Sequence, residues 1–239
     1  QSLYDLPWYV IIGAPGSGKT TALINSGLKF PLAESFGQEV IRGIGGTRNC
    51  DWWFTDEAIL LDTAGRYTTQ DSQAADDRAA WEGFLDLLKK HRRRRPINGV
   101  LVAISASDLM TLNDQARFAH ARAIKQRIQE LDNHFGIRFP VYLLLTKCDL
   151  IAGFMEYFED LGNDERAQVW GVTLPMPERK EQPADVQSFG AEFDALLERL
   201  EGRVLSRLHE ERDPRRRSLI YGFPRQLASL KATLEELEE

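Results

Sequence analysis

Hydrophobic and polar positions along this 239-residue chain change period several times, and each change marks an element. Trp8, Tyr9, Val10, Ile11 and Ile12 form an unbroken apolar run that stops at Gly13, the pattern of a strand buried on both faces of a parallel sheet. After Thr20, the residues Ala22, Leu23 and Ile24 among polar neighbours predict a helix of two or three turns, ended by Gly27 and Pro31. Residues 50–54 and 58–62 are two short runs divided by Thr55, Asp56 and Glu57, and they predict a hairpin pair. Residues 76–94 carry apolar positions at helical spacing, with acids early and bases late to suit the helix dipole, and Pro96 ends the pattern. Residues 99–105 and 140–146 predict two further apolar strands separated by one long helix over about 111–134, and residues 169–174 predict one more short strand.

The C-terminal quarter changes character. Residues 175–183 are polar and proline-rich, as in a linker. Phe189, Phe193, Leu196, Leu197, Leu200, Val204, Leu205 and Leu208 then make an amphipathic helical stripe, and a second stripe starts after Pro224 with Leu227, Leu230, Leu234 and Leu237. The expected division is a core over residues 1–175 and a linker with a helical extension over 176–239. Alternation of strands and helices predicts an α/β fold, a mostly parallel sheet flanked by helices, with ligands at the carboxyl ends of its strands.

Composition narrows the function classes. The chain is 43% hydrophobic and 28% charged, ordinary values for a globular protein with a substantial core. A net charge of −6 gives no global basic field for nucleic acid, so nucleic-acid binding is not expected. Cys50 and Cys148 show neither CxxC nor Cys/His ligand spacing, which argues against zinc or a disulfide framework and for a reducing compartment. No run approaches the roughly 18 apolar residues of a membrane span, and no signal-peptide pattern opens the chain. The chain begins at Gln1 and not at Met, so it is expected to be part of a longer protein, with any membrane anchor outside this piece.

The chemistry concentrates behind the first strand. Gly13, Ala14, Pro15, Gly16, Ser17, Gly18, Lys19 and Thr20 match the GxxxxGK[ST] pattern of a P-loop, in the strand–loop–helix context that the motif requires. Its glycines let successive amide N–H groups surround phosphates, and the helix that follows, with Thr21 in its first turn, adds its positive end. Lys19 can reach the β- and γ-phosphates and the Thr20 hydroxyl can ligate Mg²⁺. Asp62, at the end of the apolar run Leu60-Leu61, is placed to hold Mg²⁺ through water, and the Gly65 amide can approach the γ-phosphate. Thr47, in Gly45-Gly46-Thr47-Arg48, is a candidate sensor of the γ-phosphate and Mg²⁺, or an ordinary loop threonine. Thr146, Lys147 and Asp149 follow the run Leu143-Leu144-Leu145, where a base would lie. The aspartate can accept from guanine N1–H and N2–H while the lysine stem covers the ring. The alternative is an Asp-capped turn into a helix near Leu150. The expected ligands are GTP or GDP, or ATP or ADP, with Mg²⁺.

Taken together these segments resemble Ras-like GTPases, which makes the expected fold a P-loop NTPase of that type. The resemblance narrows with Leu6-Pro7-Trp8-Tyr9, with Gly46-Thr47-Arg48-Asn49-Cys50-Asp51-Trp52-Trp53, with Asp62-Thr63-Ala64-Gly65-Arg66-Tyr67, with Leu145-Thr146-Lys147-Cys148-Asp149-Leu150 and with Gly222-Phe223-Pro224-Arg225-Gln226-Leu227. These runs look like the IcmF/TssM family, which supplies the inner-membrane core component of bacterial type VI secretion systems. The resemblance implies a domain on the cytoplasmic face of the inner membrane, carried by a longer membrane protein. It also implies TssL-like and TssJ-like membrane-complex partners and contact with baseplate components.

Arg66 stands where Ras-like enzymes carry the glutamine that orients the attacking water. Arginine cannot accept a proton, so the expected intrinsic turnover is slow. Arg42, Arg48 and Arg66 are candidate internal arginine fingers, or else structural arginines. Lys19, Thr47 and Arg66 are therefore the candidate catalytic residues, and Thr20, Thr47 and Asp62 the candidate metal ligands. A non-hydrolysing scaffold that recruits baseplate and membrane partners is the alternative. A pure interaction module is disfavoured by the intact Gly18, Lys19, Thr20 and Asp62. The basic run at 92–95 reads as solvated cations at a helix end, or as a contact for anionic lipid or an acidic partner. Of Trp52 and Trp53, consecutive on a strand, one is expected to face the core and the other outward.

Overall fold

The computed structural model describes residues 4–30, 50–69, 74–174 and 186–238. Thr47, Arg42 and Arg48 lie outside the described residues. The chain falls into two compact units, one of Gln1–Ser105 and Leu112–Thr146, the other of Ala106–Thr111 and Lys147–Glu239.

The first unit is built on a five-stranded sheet in the order β2-β3-β1-β4-β5. Its strands are β1 (Trp8–Ile12), β2 (Cys50–Phe54), β3 (Ile59–Thr63), β4 (Gly99–Ser105) and β5 (Val141–Thr146). β1 pairs in parallel with β3 on one side and β4 on the other, β4 pairs in parallel with β5, and only β2 runs antiparallel, against β3. The unbroken apolar sequence of β1 is explained by this central position: Val10, Ile11 and Ile12 are almost fully buried because both faces are covered. The hairpin expected at residues 50–62 is present, closed by Thr55, whose hydroxyl donates to Ala58 O (2.8 Å). Trp53 is buried, while Trp52 packs edge-on to Trp8 and stacks on Phe54. β5 departs from the expected burial. It forms the sheet edge, and Val141, Tyr142, Leu143 and Leu144 are exposed.

Among the described residues, this unit carries the helices α1 (Lys19–Ile24), α2 (Arg66–Thr69), α3 (Ala74–His91) and, after a short helix of the other unit, α5 (Asp114–Phe135). The long helix expected over 111–134 is present as α5, and the short helix before it is the element that the sequence pattern did not announce. Asn113 has an extended backbone, and its side chain accepts from Ala116 N (2.9 Å), capping α5 and breaking it from α4 (Ala106–Thr111). The end of α3 also corrects the reading of residues 92–95. Arg92 is not a solvated cation: it is 1% exposed, 4.7 Å over the Trp8 ring and 5.0 Å over Tyr4, and bonded to Asn98 Oδ1.

The second unit is helical, with α4, a 3₁₀ turn (Cys148–Leu150), α6 (Phe154–Phe158), α7 (Asn163–Arg166), α8 (Val186–Glu210), α9 (Pro214–Ala228) and α10 (Lys231–Glu238). Residues 169–174 are not a strand, because no neighbouring strand takes them up. Instead Trp170 lies against Phe154 and Phe158. Pro224 does not start a helix but sits inside α9. Packing outweighs the lost backbone bond there, since Phe223 is fully buried against Phe154, Tyr157 and Phe158.

Candidate functional site

β1 and β3 are parallel neighbours, so the turns that follow them leave the same edge of the sheet. The glycine-rich loop, residues 13–20, leaves β1 there. Gly18 is the N-cap of α1 at φ 84°, a left-handed conformation that a side chain would strain, and no side chain caps the first turn of that helix. Ser17 N donates to Ala14 O (3.1 Å), closing the loop on itself. The Ser17 hydroxyl is fully buried and has no hydrogen-bond partner among the described residues.

Lys19 is 7% exposed, and its Nζ donates to the carbonyls of Gly13 (3.0 Å) and Ala14 (3.3 Å). Burial lowers its pKa from the ordinary lysine value, and the Asp62 carboxylate partly opposes that shift. Thr20 Oγ1 donates to Asp62 Oδ2 (2.6 Å), joining the first turn of α1 to the end of β3. Asp62 is fully buried, opposite Ile11 in the β1 register and Asp51 in the β2 register. Thr63 Oγ1 donates to Ile11 O (2.6 Å), and Thr146 Oγ1, from the end of β5, lies 2.5 Å from Ser17 O and 3.1 Å from Ile104 O. The Cys50 thiol, opposite Thr63, is held well above the ordinary thiol range by burial and by Asp62 and Asp51.

Past β3 the chain meets the loop directly. A Cβ on Gly65 would stand 2.4 Å from Pro15 N and 2.8 Å from the Ala14 carbonyl carbon, so only glycine permits this approach. Thr68, on α2 and 2% exposed, has its Oγ1 3.2 Å from both the N and the O of Gly13. Sequence reasoning missed Thr68, because nothing in its local pattern announces a contact with Gly13. Arg66 is held by Asp77 of α3 (Nε to Oδ1, 2.7 Å) and lies over the Tyr67 ring. Asp77 is 3% exposed and was equally invisible to a reading along the chain.

A hard divalent cation such as Mg²⁺ takes oxygen ligands, keeps several waters and uses one or two protein oxygens beside phosphate. The Thr20 hydroxyl and Asp62 carboxylate, 2.6 Å apart, fit that donor set. No group of three or more His, Cys, Asp or Glu able to hold a metal occurs among the described residues, so an all-protein cage is not what these residues offer.

Lys147 and Asp149 belong to the second unit. Lys147 is at φ 56°, the one non-glycine residue at positive φ among those described, and it caps the 3₁₀ turn that contains Asp149. Asp149 is exposed and does not cap the helix that follows, whose N-cap is Gly153. The neighbouring Cys148 thiol is pushed up to about 11 by burial and by Asp149.

The sequence profile of the IcmF-related N-terminal domain matches residues 74–239. This chain belongs to the IcmF-related family. A curated relative, the type VI secretion system component TssM1 of Pseudomonas aeruginosa, is 61% identical over 236 residues, which is 99% of this chain. The resemblance to IcmF/TssM read from the sequence is therefore correct. The chain spans about a fifth of that relative's length (21%). The matched profile begins at the N-terminus of α3, so the glycine loop and Asp62 of this IcmF-related chain precede the matched span. Among the described residues, no helix is long and apolar enough to cross a membrane.

Proposed function

We propose that this chain is a P-loop NTPase domain of Ras-like type that binds a Mg²⁺-nucleoside triphosphate and acts as the nucleotide-responsive module of a TssM-type component of a type VI secretion membrane complex. The observation that carries the reading is the arrangement around Gly13: the buried Lys19 ammonium, the Thr20–Asp62 pair and the close-packed Gly65 all meet the glycine loop at one edge of the sheet. Backbone amides of residues 13–20 and the Lys19 ammonium would bind and orient the phosphates, while Thr20 and Asp62 would hold Mg²⁺, which when bound neutralises charge between phosphate oxygens. Hydrolysis, where it occurs, is attack of water on the γ-phosphorus with cleavage of the β–γ bridging bond, releasing phosphate and the diphosphate. Asp149 and Lys147 are the proposed base-recognition residues, favouring guanine over adenine.

A second reading, a nucleotide-binding scaffold that does not hydrolyse, is favoured by one contact. Arg66 stands in the position of the water-orienting glutamine, and its guanidinium is engaged by Asp77. In either reading the domain lies on the cytoplasmic face of the bacterial inner membrane, within a longer membrane protein. Its partners are TssL-like and TssJ-like proteins and baseplate components, not nucleic acid.

Fluorescent GDP, ADP and their triphosphate analogues, titrated with and without Mg²⁺, test both readings beside Lys19→Ala and Asp149→Ala. Mg²⁺-dependent binding lost in Lys19→Ala, with guanine preference lost in Asp149→Ala, is the expected result. Absence of micromolar binding to any nucleotide would sink the proposal. Steady phosphate release would then separate an enzyme from a scaffold.

A further inference from the structure

We infer that Thr68 is a positioning residue of the phosphate loop, acting through the Gly13 peptide on Lys19; the inference rests on the nucleotide-binding reading above. A hydroxyl carries one proton and two lone pairs, so Thr68 Oγ1 can accept from Gly13 N–H and donate to Gly13 C=O together. The same carbonyl accepts from Lys19 Nζ at 3.0 Å. Lysine and threonine therefore share one acceptor, each using one of its lone pairs.

This sharing decides what it costs Lys19 to turn toward a phosphate. An ammonium that leaves a buried carbonyl strips it of a partner, and a buried acceptor left unpaired is expensive. With Thr68 in place the Gly13 carbonyl keeps one partner, so Lys19 can exchange a backbone oxygen for a phosphate oxygen cheaply. By engaging both the N–H and the C=O of Gly13, Thr68 also restrains the two peptide groups on either side of the Gly13 Cα, at the point where the loop leaves β1. The threonine is itself well fixed: Thr68 N donates to Gly65 O (2.9 Å), and Gly65 is pressed against Pro15. Gly65, just before α2, and Thr68, within it, thus touch the loop at two points. On the far side α2 is tied to α3 by the Arg66–Asp77 ion pair.

The test compares Thr68→Val, which keeps the shape and removes the hydroxyl, with Thr68→Ser, which keeps the hydroxyl, in the 239-residue chain. Thermal unfolding establishes that both variants are folded. Two measurements follow: affinity for fluorescent triphosphate in Mg²⁺, and hydrogen exchange of the Gly13 amide without any nucleotide. The expected result is a loss of about tenfold or more in affinity for Thr68→Val, recovered to within about threefold by Thr68→Ser. Gly13 amide exchange should accelerate by about tenfold or more in the valine variant alone. Unchanged affinity in a folded Thr68→Val, or unchanged Gly13 exchange, overturns the assignment of Thr68. If the parent chain itself binds no nucleotide, the nucleotide-binding reading fails, and the positioning role falls with it.

Discussion

Thr20 Oγ1 and Asp62 Oδ2 lie 2.6 Å apart, a hydroxyl from the first turn of α1 donating to a carboxylate from the end of β3. The pair joins two elements whose positions are set by the β1–β3 register, which places Asp62 beside Ile11. Replacing Asp62 by Asn keeps an oxygen acceptor for Thr20 and removes the charge. On the proposed function, Asp62→Asn should raise the Mg²⁺ concentration needed for half-maximal triphosphate binding by about tenfold or more. A Mg²⁺ titration at fixed fluorescent nucleotide measures this, and an unchanged midpoint would remove Asp62 from the metal site.

Gly65→Ala places a methyl group 2.4 Å from Pro15 N and 2.6 Å from Pro15 Cα. Backbone on both sides cannot yield as a flexible side chain would, so the variant should lose about 1–3 kcal/mol of stability. Chemical denaturation with and without nucleotide separates the two consequences, stability and a displaced loop.

The arginines at 92–95 are adjacent in sequence and unequal in the fold. Arg92 is buried over Trp8 and Tyr4 and bonded to Asn98, whereas Arg93, Arg94 and Arg95 are exposed. Arg92→Ala should destabilise the chain by about 2 kcal/mol, and each of the other three changes should stay within about 0.5 kcal/mol. A urea midpoint for each of the four variants decides the matter.

Tyr157 in the helical unit is fully buried and donates to Leu200 O (2.6 Å), and burial raises its phenol from 10.0 to about 12. The folded state then holds the phenol proton more tightly than the unfolded state, so this contribution is intact below pH 10.0 and is lost as pH rises toward about 12. The parent should lose stability more steeply than Tyr157→Phe across that window, in circular dichroism melts taken at successive pH values.

What could be read from the chain followed from locality. β1, the 50–62 hairpin and β4 were legible because each carries its own signal, a full apolar run or two short runs around a polar turn. Lys19, Thr20 and Gly65 were legible for the same reason, since motif spacing is local. The start of α5 was also written in the sequence, as the N-cap residue Asn113 followed by Asp114, whereas α4 is only 6 residues long, less than two turns, and shows no helical period of its own. Pro224 misled because its lost backbone bond is outweighed by burial of Phe223, a tertiary effect. Thr68, Asp77 and the burial of Arg92 were not legible at all, because Thr68 and Asp77 meet partners 55 and 11 residues away and the rings that cover Arg92, those of Trp8 and Tyr4, lie 84 or more residues away along the chain.

Ala106–Thr111 counts with the helical unit although the residues on both sides of it count with the sheet. No single cut in the chain can therefore release either unit whole. A fragment ending at Thr146 would carry Ala106 and Leu109, both buried here, away from the elements they pack among. A workable short version would need a neutral connection from Ser105 to Leu112 in their place. The same threading bears on dissection: the helical unit draws its members from two separate stretches of the chain, one of them enclosed within the sequence of the sheet unit.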